Sequence, residues 1–205
     1  VKLTEGRMLY NAGDELREAY FIQSGVVSYI SAAAVDEESA AGVVGDEGVV
    51  GLPSFLRYHR AMFRVIVQIE GEALRVDGEF LRREYDKGGE LQNLILCYAH
   101  TVVSQFSQAI VCNRFHIVEK RLARFLLMVH DRARSDTLHL THEFLASMLG
   151  TSRTDVTEAA GALQDAGLIR YRRGAMTILD KAGLKAATCV CYQILLEEYE
   201  HFLFA

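Results

Sequence analysis

Apolar and polar residues alternate in short stretches through the first part of the chain. Residues 20–30 predict two strands joined at Ser24-Gly25, and residues 64–69 and 73–76 predict two more. Two other segments, residues 11–14 and 37–42, have the composition of turns. Short strands at close spacing are typical of a β-barrel or jelly roll.

After residue 76 the apolar residues take the spacing of helices. Asp77 is a suitable N-cap for a short helix that ends before Gly88-Gly89. Residues 90–111 contain neither Gly nor Pro, and their apolar side chains recur at intervals of three and four, which predicts one long helix. Its stripe comprises Leu91, Leu94, Ile95, Tyr98, Val102, Phe106 and Ile110. Because a small domain cannot cover so long a helix, we expect a dimer seam, with packing on the chain's own β domain as the alternative.

The most informative stretch lies further along, at residues 138–169. Ala146, Gly150 and Val156 fit a helix-turn-helix, in which a small residue lets the helices cross, a glycine makes the turn and a β-branched residue fixes the second helix. Thr141 and Ser152 are suitable N-caps for the two helices. The pair predicts a DNA-binding unit whose second helix begins near Ser152.

Residues 168–179 follow with the pattern of a β-hairpin that turns near Arg173-Gly174, which predicts a wing. Three Arg within four residues suit contacts with phosphates. The expected DNA-contacting residues are Thr151, Ser152, Arg153, Thr154, Thr157, Glu158, Arg172 and Arg173. We expect Arg153 to contact guanine, and Glu158 to contact cytosine or to orient Arg153 by an intrahelical pair. Arg172 and Arg173 are expected at phosphates.

Composition narrows the class of protein. The chain has 205 residues, of which 50% are hydrophobic and 24% charged, as in a globular protein with room for two cores. Residues 113–185 hold 12 Lys and Arg against 8 Asp and Glu, whereas residues 1–88 hold 10 against 15, so only the later block suits nucleic acid. No apolar run reaches the ~18 residues of a membrane helix, so no membrane partner is expected. The four Cys and the absence of a signal-peptide pattern predict reduced thiols in the cytoplasm.

The order of these motifs resembles the cyclic-AMP receptor protein/FNR family of bacterial transcription regulators. The matching segments are Gly13-Asp14 and residues 20–25, 48–51, 121–126, 140–169 and 177–180. The resemblance implies an α+β chain with an N-terminal β-roll of the cyclic-nucleotide-binding type (a jelly roll) at residues 1–88, a dimerisation helix at 89–112, and a winged helix-turn-helix at 113–205. It also implies a homodimer on a palindromic operator, RNA polymerase as a partner, and an effector whose identity the sequence leaves open.

The loop that binds the effector in this family departs from the cyclic-nucleotide pattern. Leu52 follows Gly51 where those relatives carry the Glu that holds the ribose. Met62 and Phe63 stand where they carry an Arg and a hydroxyl residue, so we expect weak or no binding of cyclic AMP. The candidate pocket comprises Gly51, Leu52, Ser54, Arg60, Arg64, Phe106 and Ser107. Arg57, Arg60 and Arg64 either hold an anion in another register or are solvated loop charges.

Other constellations predict neither a metal site nor catalysis. His139 and His142 lack further ligands nearby in the sequence and are expected in solvent. Cys189 and Cys191 are expected on one helix with diverging side chains, which disfavours a shared metal or a local disulfide. No nucleophile elbow is present, so no enzyme is predicted. The alternative function is a small-molecule or anion sensor whose helix-turn-helix contacts protein rather than DNA.

Overall fold

The computed structural model describes residues 1–34, 37–56 and 58–203. Its strands are β1 (Lys2–Leu3), β2 (Met8–Tyr10), β3 (Glu18–Ala34), β4 (Glu37–Val44), β5 (Val49–Val50), β6 (Arg64–Asp77), β7 (Thr137–His139), β8 (Ile169–Arg172) and β9 (Ala175–Ile178). Its helices are α1 (Gly78–Asp86), α2 (Glu90–Phe115), α3 (Val118–Ala133), α4 (His142–Leu149), α5 (Arg153–Asp165), α6 (Lys181–Ala187) and α7 (Val190–Leu203), with a 3₁₀ turn at Leu52–Ser54. The architecture is the expected one, a β-roll followed by a long helix and a winged helix-turn-helix.

Two long strands, β3 and β6, form the centre of the N-terminal antiparallel sheet. Strands β1 and β2 pair with β6, while β4 and β5 pair with β3. Apolar side chains from both central strands, including Val27, Val65 and Val67, are buried in the interior of this domain. Burial of such side chains is the main source of its stability.

The predicted turn at Ser24-Gly25 is wrong, because β3 runs through it without a break. The pairing of β3 with β6 shifts register on either side of Ser24. Gly25 has φ +84°, and a Cβ there would lie 2.6 Å from the carbonyl oxygen of Ile69. The glycine therefore serves a bulge with close backbone approach rather than a chain reversal.

Two other expectations for this domain also change, and a third is confirmed. The predicted turn over 37–42 lies within β4, and the two strands expected at 64–69 and 73–76 are one strand, β6. The turn over 11–14 is confirmed, with the Asp14 carboxylate accepting a 2.7 Å hydrogen bond from the backbone N–H of Asn11. Strand lengths were underestimated because glycines in the interior of strands have the same signature as turns.

Helix α2 carries two apolar faces rather than one. Ile95, Tyr98 and Val102 are buried against the β-roll, with Leu91 and Phe106 packed beside them. Most of the side chains expected at a dimer seam therefore pack on the chain's own β domain, which was the alternative. Of that stripe, only Leu94 and Ile110 are exposed. A different apolar row, made of Leu96, Val103 and Ile110, points outward with exposed fractions of 53%, 61% and 72%.

By length and composition alone, α2 is also apolar enough to cross a membrane. Its most apolar window of 18 residues has a mean hydropathy of 1.4, and 33% of that window is buried inside the protein. The expectation that no segment has this character is wrong, because single polar residues interrupt the apolar run without lowering its average far. An exposed helix face of this kind needs a covering surface.

The C-terminal core joins α3, α4, α5 and the small sheet β7–β9–β8. Leu122, Leu126 and Leu145 are fully buried within it. The same cluster extends to Val26 and Val43 of the β-roll, so the helix-turn-helix packs directly on the N-terminal domain.

A buried polar network crosses this boundary between the domains. Arg132 of α3 donates to Glu47 in the β4–β5 loop at 2.7 Å, and the two side chains are only 9% and 13% exposed. The Arg132 guanidinium also lies 4.7 Å from the ring centroid of Tyr199 on α7. Tyr199 in turn contacts Gln105 of α2, which donates a 3.2 Å hydrogen bond to the carbonyl of Val43. Helices α2, α3 and α7 are thereby joined to β4 and to the loop that follows it.

Candidate nucleic-acid interface and effector cavity

The turn between α4 and α5 has the geometry that its sequence predicts. Thr141 caps α4 by accepting a 3.1 Å hydrogen bond from the N–H of Phe144, and Gly150 ends that helix at φ 58°. Ser152 caps α5 by accepting from the N–H of Asp155, whose carboxylate accepts from the N–H of Ser152 in return, both at 3.1 Å. This capping box fixes the start of the second helix.

Thr151 takes part in the same arrangement. Its hydroxyl donates to the Asp155 carboxylate at 2.7 Å, and its side chain is half-buried. The hydrogen bonds from Thr151 and then Ser152 lower the pKa of Asp155 below its usual value. The Thr151 hydroxyl is therefore already engaged within the protein, and a phosphate at this position would meet the backbone N–H groups of the helix terminus.

One face of α5 is turned outward over its whole first half. Arg153, Thr154, Thr157 and Glu158 are exposed, as is the cap Ser152. The opposite face is buried through Val156, Ala159, Ala160 and Leu163. The sequence assigned these residues to the correct faces because the capping residue sets the phase of the helix.

The expected pairing of Glu158 with Arg153 is wrong. Residues five apart on a helix do not face each other, since neighbours on one face are three or four apart. The Arg153 Nε lies 4.0 Å from Glu143 of α4 instead, with both side chains more than 70% exposed. Such a solvated contact is weak, so the guanidinium is available to another partner.

The wing is a two-residue hairpin between β8 and β9. Arg173 and Gly174 both have positive φ, 52° and 81°, which is the conformation of a type I′ turn. Arg170, Arg172 and Arg173 are exposed, and none of them forms an ion pair with any part of the chain that the structure describes. The predicted turn position is confirmed.

His142 connects the wing to the helix-turn-helix, which the sequence did not indicate. Its ring stacks on Tyr171 at a centroid distance of 4.1 Å, and its Nδ1 lies 2.9 Å from the hydroxyl oxygen of Thr157. Burial, then the charge of Arg153, lowers the pKa of His142. The expectation that this His is solvated is wrong, whereas His139 is exposed as expected.

A cavity of about 250 Å³ lies between the β-roll, the 3₁₀ turn and α2. Among the described residues, those that line it are apolar apart from Tyr10 and Tyr29, and none of them is charged. Tyr29, Phe63 and Phe106 pack on one another there, with the rings of Phe63 and Phe106 4.7 Å apart. The cavity suits an uncharged ligand with apolar surface.

The structure brings together three of the seven predicted pocket residues. Gly51, Leu52 and Phe106 line the cavity, whereas Ser54 is buried outside it and Ser107 is exposed. Arg60 donates a 3.2 Å hydrogen bond to the carbonyl of Gly13. Arg64 is paired with Glu38. The third candidate arginine, Arg57, lies outside the described residues.

The cysteines near the C-terminus are arranged differently from the expectation. Helix α7 begins at Val190, so Cys189 precedes it and only Cys191 is helical. Their side chains do not diverge: both lie beside Cys112 and His116 at the end of α2. The argument from helix spacing fails because the two residues do not share one helix.

Comparisons with known proteins agree with this architecture. Residues 1–87 match the model of the cyclic nucleotide-binding domain, and residues 120–187 match the model of the Crp-like helix-turn-helix domain. The global nitrogen regulator of Synechococcus elongatus is 23% identical over 189 residues, which are 87% of this chain and 85% of that protein.

Solved structures show the same fold over about nine tenths of the chain. FixK2 from Bradyrhizobium japonicum aligns with a TM-score of 0.78 and 13% identity, over 92% of this chain and 96% of its own. A transcriptional regulator assigned to the crp/fnr family from Eubacterium rectale aligns with a TM-score of 0.73 and 20% identity, over 91% and 88%.

Proposed function

Because the chain belongs to the Crp/Fnr family of transcription regulators, we propose that it recognises a specific operator in double-stranded DNA through α5. The observation that carries this proposal is the outward face of α5, which stands beside a wing with three exposed arginines. In this arrangement α5 lies in the major groove, and Arg153 donates to guanine while Glu158 accepts from cytosine N4. Arg172 and Arg173 contact phosphates and carry no sequence information.

The test is selection of bound sequences from random duplexes, followed by mobility shifts at two salt concentrations. A dimer should return an inverted repeat whose half-sites lie about one helical turn apart. Recovery of sequences without such symmetry would contradict the proposal. Absence of duplex binding even at low salt would favour the alternative, a sensor whose helix-turn-helix contacts protein.

The exposed row on α2 supports a homodimer. Leu96, Val103 and Ile110 recur every seven residues, which is the repeat that two parallel helices bury against each other. A second copy would cover these side chains and bring two recognition helices to one operator. Light scattering of the full chain at micromolar concentration should give the mass of two chains, and the mass of one chain would contradict this.

The cavity supports an effector other than a cyclic nucleotide. A cyclic phosphate would need charged partners, and the lining residues that the structure describes supply none. An uncharged, largely apolar small molecule fits the lining, in which Tyr10 and Tyr29 are the residues with a polar group. Calorimetry with cyclic AMP and cyclic GMP should detect no binding heat, whereas micromolar affinity for either would contradict the assignment.

We place this function in the bacterial cytoplasm, where the regulator would act together with RNA polymerase. The support is the family and the names of the relatives, which are transcription regulators. Co-purification of tagged protein with polymerase subunits in the presence of operator DNA tests this part. Polymerase captured equally without operator DNA would argue against recruitment at the promoter.

A further inference from the structure

Four side chains with metal-binding atoms meet where α2 ends and α7 begins. They are Cys112, His116, Cys189 and Cys191, and their ligand atoms all lie within 4.8 Å of one another. The three thiols are buried, and the imidazole is half-buried. The exposed fourth cysteine of the chain, Cys97, lies apart from this group.

The spacing of these atoms is close to that of a tetrahedral zinc site. The Cys112 and Cys189 sulfurs are 3.6 Å apart, and the Cys191 sulfur is 3.5 Å from the Nδ1 of His116. With Zn–S bonds of about 2.3 Å, neighbouring sulfurs in a tetrahedral site lie about 3.8 Å apart. No separation in the group exceeds 4.8 Å, which is about 1 Å above that value.

The sequence supplies the ligands as two local pairs. Cys112 lies in the last turn of α2, and His116 is the residue that directly follows this helix. Cys189 and Cys191 flank the first residue of α7. Two close pairs brought together from distant parts of a chain are the usual construction of structural zinc sites.

The charges around the group also fit bound thiolates. Arg124 of α3 is 6% exposed, forms no ion pair within the described residues, and acts electrostatically on the Cys112 thiol. Its Nε is buried without a hydrogen-bond partner in that part of the chain. A buried guanidinium needs an anion nearby. Three thiolates and one imidazole around a divalent ion carry a net charge of −1, which Arg124 would offset.

We propose that Cys112, His116, Cys189 and Cys191 bind one zinc ion. On binding, the three thiols release their protons to solvent, and a neutral imidazole supplies the fourth ligand. All four positions are filled by protein, so the ion has no open site and its role is structural. It fixes the start of α7 to the short junction between α2 and the DNA-binding domain. The proposal does not depend on the identity of the operator or of the effector.

The test uses the full chain, purified anaerobically under reducing conditions and analysed for zinc, iron and sulfide. After chelation, cobalt(II) is titrated in, because tetrahedral thiolate ligation gives it intense visible bands and a thiolate charge-transfer band. We expect one zinc per chain as purified, one cobalt after exchange, and displacement of cobalt by zinc. Absence of a stoichiometric metal together with absence of the cobalt bands would overturn the proposal, as would iron with inorganic sulfide in place of zinc.

Variants locate the site. Cys191→Ser and His116→Ala should each weaken cobalt binding about tenfold or more, whereas Cys97→Ser should bind as the wild type does. Because His116 is only half-buried, we expect His116→Ala to fold, and it tests the site if Cys191→Ser does not fold. Bound zinc should also protect Cys112, Cys189 and Cys191 from alkylation while Cys97 reacts, as read by peptide mass spectrometry. Unchanged cobalt affinity in His116→Ala, or equal alkylation of all four thiols with zinc present, would overturn the assignment.

Discussion

The β-roll and the wing of this protein use their arginines in opposite ways. In the β-roll, Arg64 is paired with Glu38, Arg75 with Glu18, and Arg60 donates to a backbone carbonyl. In the wing, Arg172 and Arg173 extend into solvent with no acidic partner among the described residues.

The difference shows which charges belong to the fold and which await a ligand. An arginine that already has a carboxylate gains little from a further anion, and moving it away leaves that carboxylate unpaired. Exposed and unpaired arginines carry no such cost, so a phosphate or a base edge is their natural partner. The cavity of the β-roll therefore suits an uncharged ligand, whereas the winged helix suits a polyanion.

The largest expected effect comes from placing a charge inside the N-terminal domain. Val102→Glu puts a carboxylate among Ile95 and Tyr98, where it has no partner, and should lower the free energy of unfolding by about 3 kcal/mol or more. Val103→Glu on the exposed row is the matched control: the chain should stay folded but lose its dimer. Urea denaturation and light scattering measure the two outcomes. Equal loss of folding in both variants would contradict the assignment of the faces.

A smaller effect is expected from the exposed arginine of α5. Arg153→Ala should cost about 1–3 kcal/mol in operator binding and relax the preference at one base pair of each half-site. Arg17→Ala changes an equally exposed arginine of the β-roll and should leave binding unchanged. Selection from random duplexes measures the preference, and an unaltered base preference in Arg153→Ala would place another residue at the bases.

The wing should show a uniform loss of affinity rather than a change of specificity. Arg173→Asn removes the charge and retains a residue that tolerates positive φ, so the turn is preserved. All sequences should be bound more weakly by the same factor, and the slope of log affinity against log salt should fall by about 1. Binding isotherms at several salt concentrations test this, and a sequence-dependent loss would indicate a base contact.

The smallest expected effect is on the pH dependence of folding stability that the capping box contributes. The pKa of Asp155 is lowered in the folded chain, so its stabilising contribution is present above the unfolded pKa, about 4, and is lost as pH falls through the folded value. Asp155→Asn should make the stability of the fold depend less on pH in the acid range. The pH dependence of stability that other carboxylates contribute should not change. Thermal unfolding between pH 7 and about pH 3 measures it. Identical profiles for variant and wild type would show that the cap does not titrate with folding.

Features determined by a few adjacent residues could be predicted from the sequence. The caps Thr141 and Ser152, the turn at Gly150 and the hairpin at Arg173-Gly174 each depend on local hydrogen bonds or local backbone preference. Because these fix the phase of α5, its outward residues could be assigned as well.

Features determined by distant contacts could not be predicted. Which face of α2 meets the β-roll depends on the position of that domain, and both faces are apolar. From the sequence, Gly25 has the character of a turn residue. Only the close approach of its backbone to the carbonyl oxygen of Ile69 shows why a glycine lies within the strand. The cluster of Cys112 with Cys189 joins residues 77 positions apart, and no local pattern indicates it.

The buried contact of Arg132 with Glu47 has a consequence for communication between the two domains. Glu47 lies a few residues before Gly51 and Leu52, which line the cavity. An effector that displaces this loop alters its contact with α3 and shifts the balance between arrangements of the DNA-binding domain. Such coupling is reciprocal, so operator DNA must change the affinity of the cavity for the effector by the same factor. The effector can therefore be sought as the small molecule whose retention by the protein changes when operator DNA is added.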